Sequence, residues 1–481
     1  MKFKVWGLSV LCIAALAVSD CLAGQRLVRP SEPCEDGTAY VVGSRTRGAW
    51  YRKPFSGLPI LPRRAPGYAP IQIQYDENAD DCRRVTAEEV RETVETAVVS
   101  ENTEVQIPAS PEENSEVTVQ NGEENKENQE MSVTSAPFGE TKEGEKITAW
   151  TLKNANGLTA VILDFGGVLY EMKTPDRDGN FANISCNYPT IPEYQEIRPY
   201  FGSLVGRYGN RIAKGKFTID GVDYQVPVNN DENALHGGLK GFDQRIWNVE
   251  PFSNPNEVGL KLTYTAADGE EGYPGKLDVT VVYSLNNNNE LMIDYTAATD
   301  KATPINLTNH TFWNLSGATS GTIRGTELTL GADRFLPTDG GLIPTGEVAS
   351  VEGTPLDFRT AKTIGQDIDK ITEPQFNGGY DHCLVLAKEK EGELSFCALA
   401  FDPASGRTME VTTTEPAVQF YSGNFLDGST GVGDYKYEKQ SAFCLETQHY
   451  PDSPNHPEFP NTILRPGDVY RHTTIHKFGV K

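Results

Sequence analysis

From about Glu145 to the end, the chain is built from short runs in which apolar and polar residues alternate. LMIDYTAAT (291–299), KFTIDGVDYQV (216–226) and GRTMEVTTTEPAVQF (406–420) are examples, and a period of two is the mark of a strand with one buried face. Asn156-Gly157, Gly166-Gly167 and a series of Asp-Gly, Asn and Pro clusters cut these runs at short intervals, while helical periodicity is nearly absent. The pattern predicts a single large, all-β domain, an antiparallel β-sandwich over 146–481.

The first 145 residues read differently. Lys2 and Lys4 precede an apolar run, Val5 to Val18, and Cys21-Leu22-Ala23 fits a small-residue cleavage site. This is the layout of a secretory signal peptide, 1–23, and the run is too short for a membrane span. Export to periplasm, cell surface or medium is therefore expected. Lipid anchoring at Cys21 is disfavoured by Asp20, which stands where a small uncharged residue is needed. Residues 24–84 are rich in Pro and Arg and read as an arm suited to cell-envelope contact, closed if Cys34 and Cys82 pair. Residues 85–145 carry sixteen Glu against three Lys or Arg, the composition of a solvated, self-repelling linker.

That linker supplies about half of the formal net charge of −24, and the balance argues against a nucleic-acid partner. Cys186, Cys383, Cys397 and Cys444 lie in apolar stretches, where cysteine behaves as a small buried hydrophobe. There is no CxxC pair, so no structural zinc site is expected. His449 and His456 sit in a proline-rich loop without the spacing of a helical HExxH motif and read as rim residues. His472 and His476, four apart in a strand-like run, read as a packed or solvated strand face.

The candidate chemistry centres on NLTNHTFWNL (306–315). Pro304 interrupts the preceding strand, so His310 falls where a strand meets a loop. An imidazole there can exchange a proton near its ordinary pKa of about 6.5, and Trp313 offers an apolar face for a sugar ring. The plainer account is a buried histidine bonded to backbone. Other dense segments follow in order. GRYGNRI carries Asn210 and Arg211, LHGG carries His236, GGYDH carries Asp381, VQFYSGN carries Gln419, and LETQ carries Glu446 at a strand end. Taken singly, Arg211 reads as a surface ion-pair former, Asp381 as a turn cap, and Gln419 and His236 as satisfied polar groups. Sequons at Asn183, Asn306, Asn309 and Asn314 are treated as incidental, since three fall in the candidate site.

Together and in this order, these segments, with GEEGYPG and LIPTGEV, resemble the aldose 1-epimerase (galactose mutarotase) family over 146–481. The resemblance implies a β-sandwich with an open sugar cleft, no cofactor and no metal, acting on a free aldohexose such as galactose or glucose. It implies His310 as general acid and Glu446 as general base, with Asn210, Arg211, His236, Asp381 and Gln419 gripping hydroxyls. The family's usual NHxY motif departs here to Phe312, which is expected to affect substrate preference. Opening a pyranose needs a base at the C1 hydroxyl and an acid at the ring oxygen. A carboxylate with a reference pKa of about 4.3 suits the first; an imidazole raised by nearby carboxylates suits the second. A non-catalytic sugar-binding protein need not keep both groups. A glycoside hydrolase would use two carboxylates, and a hexose-6-phosphate epimerase would need a cationic cluster beside these motifs.

Overall fold

A computed structural model describes residues 130–481 apart from Arg198. The expected leader, the Pro/Arg-rich arm with Cys34 and Cys82, and most of the acidic stretch lie outside the described residues. Strands dominate, and the short α-helix Ile191–Glu196 is the one α-helix among the described residues. None of their helices is long and apolar enough to cross a membrane.

A five-stranded meander runs from Ser132–Glu140 through Lys146–Lys153, Thr159–Leu163 and Leu169–Pro175 to Phe181–Asn183. Its first strand lies wholly within the stretch expected to be linker. Ser132 pairs with Lys153 and Glu140 with Lys146, so the fold begins before the boundary expected at 146. SVTSAPFGE carries no strand signal because this edge strand is mostly exposed and lacks a clear apolar face.

The central element is a nine-stranded antiparallel sheet. Asn248–Ser253, Glu257–Ala266, Leu277–Asn286 and Glu290–Thr299 form hairpins in sequence order. The chain's last strand, Tyr470–Val480, then inserts beside Glu290–Thr299, and Arg407–Thr413 pairs with its other side. A further five-stranded sheet has the order Ala349–Ser350, Ala332–Phe335, Asp381–Leu386, Ala417–Tyr421, Cys444–Gln448. Its apolar residues Leu384, Val418, Phe420 and Leu445 join one core cluster with Val281, Ile293 and Val411 of the nine-stranded sheet. Alternation along each strand thus commits one face to the core and leaves the other for chemistry. The expected sandwich is the observed architecture, and the four cysteines placed in apolar stretches are all buried and free.

Ile293 is fully buried in this core. Ile293→Ala should lower stability by about 2–5 kcal/mol in urea unfolding, with the native fold retained.

Candidate active site

Register on the second five-stranded sheet assembles the floor of a cleft. Gln419 pairs directly with Glu446, Cys383 with Gln419, and Asp381 with Tyr421. Because side chains at i and i+2 share a face, Asp381, Gln419, Tyr421, Cys444 and Glu446 all stand on the side away from the main core, where Cys444 and Tyr421 meet a second apolar cluster. Gln419 Nε2 donates to Asp381 Oδ1 at 2.7 Å. Gln419 Oε1 and Glu446 Oε2 are buried acceptors with no protein donor. Leaving such atoms unpaired costs about 1–3 kcal/mol each, so they are seats for hydroxyl donors of a ligand.

Loops bring the remaining groups over this floor. Thr308–Asn309 pairs with Leu204–Val205, and Asn309 Nδ2 donates to Gly202 O at 2.8 Å. His310 N then donates to Ser203 O at 2.9 Å, which fixes the backbone beneath the ring. The ring stacks near Phe312, centroids 5.2 Å apart, and Cys444 Sγ lies 3.6 Å from its Nδ1. Its Nε2 faces Glu446 Oε1 at 3.5 Å. His236, with φ of 50°, accepts Asn210 N–H on Nδ1 at 3.1 Å, which leaves Nε2 to carry the proton of the neutral ring. The following glycine is obligatory for this approach. Gly237 has φ of +88°, and a Cβ there would sit 1.9 Å from Gly206 O. Arg211 Nε donates to Asn230 Oδ1 at 3.0 Å. Asn210, Arg211, His236, His310, Asp381, Gln419 and Glu446, with Tyr200, Leu342, Tyr421 and Phe425, line a cleft of about 430 Å³.

Burial governs the electrostatics. His310 and Glu446 are 5% and 2% exposed. Loss of solvation pushes the imidazole down to about 4. Desolvation first, and then the neighbouring Asp381 charge, raise Glu446 well above the ordinary carboxylate range; Arg211 opposes the rise. Asp381 is itself raised by burial, again against Arg211. Burial thus disfavours charge on both members of the pair, lowering the proton affinity of the imidazole and raising that of the carboxyl. A proton passed from carboxyl to imidazole converts a neutral pair into an ion pair with no exchange with solvent. Such a pair can take a proton from one ligand oxygen while giving one to another.

The model of the family described as aldose 1-epimerase matches residues 148–477. Galactose mutarotases of Rattus norvegicus and Homo sapiens are each 43% identical, covering 73% of this chain and 99% of the relative. The aldose 1-epimerase of Escherichia coli is 37% identical over 70% of this chain and 96% of its own. The chain belongs to the aldose 1-epimerase family. Among solved structures, a galactose 1-epimerase from Lactobacillus acidophilus superposes with a TM-score of 0.64 at 26% identity, over 73% of this chain and 99% of its own. An aldose epimerase homologue from C. elegans gives 0.63 at 30% identity, over 72% and 99%. The chain accordingly has aldose 1-epimerase activity, an isomerisation at C1 of an aldose.

All seven residues singled out for this epimerase chemistry line the same cleft: Asn210, Arg211, His236, His310, Asp381, Gln419 and Glu446. Three expectations need correction. Trp313 is no sugar platform, because it is buried in the main core against His476 and Phe478. The aromatic walls are instead Tyr200, Tyr421 and Phe425, with Phe425 56% exposed. Tyr421 and Cys444 were legible in principle, each two residues from a named site residue on its strand. Tyr200 had no such signal. Second, nearby carboxylates do not raise His310; burial lowers it, opposed only by a backbone hydrogen bond. Third, Glu446 stands mid-strand in Cys444–Gln448 rather than at its end. Phe312 is buried against Phe201 and Tyr421 as well as against His310. The sequons at Asn306, Asn309 and Asn314 are buried, and each amide donates to backbone carbonyls, which leaves no access for a glycan. His236, His310 and Glu446 also bring ligating atoms within 4.8 Å of one another. A cation held there would occupy the lone pairs that sugar hydroxyls require.

Arg211 is the cation that restrains both Asp381 and Glu446. Arg211→Met should lower kcat/KM roughly 10- to 150-fold, the loss of about 1.5–3 kcal/mol of charge-assisted hydrogen bonding. Steady-state kinetics on a folded variant checks this.

Proposed function

We propose that the chain interconverts the α and β anomers of free hexoses, galactose and glucose among them, with Glu446 as base and His310 as acid. The observation that carries this reading is the 3.5 Å approach of His310 Nε2 to Glu446 Oε1 on the buried floor of the cleft. Glu446 Oε2 offers an unpaired acceptor for the C1 hydroxyl. As that hydroxyl gives its proton to the carboxylate, His310 gives one to the ring oxygen O5. The C1–O5 bond breaks and a carbonyl forms at C1. Rotation about C1–C2 turns the other face of the aldehyde toward the O5 hydroxyl, and the reverse transfers close the ring. Every proton taken is returned, so the pair ends as it began.

Arg211 and the sugar's own hydroxyl donors favour the ionised carboxylate needed to start. Asp381 and Gln419, locked to one another, accept from hydroxyls on one flank. His236 Nε2 and the Asn210 segment serve the other. The names of the relatives, galactose mutarotase and galactose 1-epimerase, support galactose as a substrate. Positioned acid–base catalysis contributes about 10²–10⁴-fold, sufficient for a reaction that already proceeds in water. We further read the chain as exported, supported by the basic and apolar layout of residues 1–23, with 24–84 as an envelope-contacting arm.

Polarimetry on freshly dissolved α-D-galactose tests the reading. The wild-type chain should speed the approach to anomeric equilibrium, while Glu446→Gln and His310→Ala should each lose about 10²–10⁴-fold in kcat. A wild-type protein that accelerates neither galactose nor glucose over buffer would leave a sugar-binding role in its place.

A further inference from the structure

A second cluster of ligating side chains lies away from the sugar cleft, where the two large sheets meet. Glu415 sits in the bend between Arg407–Thr413 of the nine-stranded sheet and Ala417–Tyr421 of the catalytic sheet. His449 directly follows Cys444–Gln448, the strand that carries Glu446, and His472 belongs to Tyr470–Val480. Three segments far apart in sequence thus converge on one carboxylate.

The geometry is close. Glu415 Oε2 lies 2.6 Å from His449 Nδ1, and Glu415 Oε1 lies 3.3 Å from His472 Nδ1. Tyr470 OH donates to Glu415 Oε1 at 3.0 Å, and Thr414 Oγ1 is 3.1 Å from His472 Nδ1. The two imidazole rings stand nearly perpendicular, at 84°, with centroids 5.0 Å apart. One ligand atom from each of the three residues falls within 4.8 Å of the others. The contact between Glu415 Oε2 and His449 Nδ1 lacks the alignment of an N–H···O bond. Both atoms are buried and neither has another hydrogen-bond partner. His449 and His472 also line a solvent-connected cavity of about 400 Å³, which gives an ion or water a path to the cluster.

We propose that Glu415, His449 and His472 form a binding site for one divalent ion of the zinc class, separate from the sugar cleft. Two imidazoles and a carboxylate form a His₂Glu donor set typical of zinc sites, with a fourth position left toward the cavity. Calcium and magnesium prefer shells built mainly of oxygen, which this cluster does not supply. A bound dication would give Glu415 Oε2 and His449 Nδ1, both left without a hydrogen-bond partner, a shared partner. It would also tie the catalytic sheet to the chain's last strand.

The test uses the full chain, stripped with a chelator and then titrated with Zn²⁺ against a chromophoric competitor. One tight equivalent per chain is expected, unchanged by saturating galactose and retained in His310→Ala. Glu415→Gln and His472→Gln should each weaken it at least tenfold. Co²⁺ on the wild-type chain gives a reading that needs no variant. Ligand-field bands without a thiolate charge-transfer band, insensitive to galactose, are expected. No tight equivalent, a thiolate band, or an ion displaced by galactose would overturn the proposal. So would affinity unchanged in both cluster variants.

Discussion

The burial of an acid and a base against one another is the constraint on which the rest of this molecule depends. An imidazole and a carboxylate 3.5 Å apart, both almost sealed from water, cannot each take the charge state that solvent would give them. Desolvation lowers the proton affinity of His310 and raises that of Glu446. The result is a pair whose two tautomers hold the same number of protons. That property suits a reaction in which one proton is removed from the substrate and another is added.

The fold supplies the dryness and the alignment. The nine-stranded sheet and the back of the catalytic sheet share one apolar core, which makes the floor rigid. Antiparallel register then places Glu446 directly across from Gln419, and Gln419 beside Asp381, with no loop freedom between them. Over this floor, the approach of Gly237 to Gly206 clamps the His236 loop onto the segment carrying Asn210 and Arg211. The same strands continue past the cleft to Glu415 and His449, so floor and inter-sheet cluster share a scaffold.

The sandwich was legible because period-two runs and their turn punctuation survive in almost every strand. The site was legible because its residues lie in short, polar, glycine-rich segments that resemble a known family in order. What failed has physical causes. Ser132–Glu140 shows no apolar face because it is an exposed edge strand. Trp313 follows a site histidine in sequence, but the backbone turns it into the core. The direction of the His310 shift depends on burial, which no local pattern reports. His449 and His472 read as unrelated rim and strand residues, since their meeting at Glu415 is a matter of topology alone.

The most direct test of this balance is the ionisation of His310 itself, followed by NMR of ¹⁵N-histidine-labelled protein across pH and assigned with His310→Ala. In the sugar-free chain the ring should remain neutral from pH 7 down to about 4. A His310 signal that titrates at 6.5 or above would contradict the account. It would mean that the carboxylates, rather than burial, set the charge of the acid.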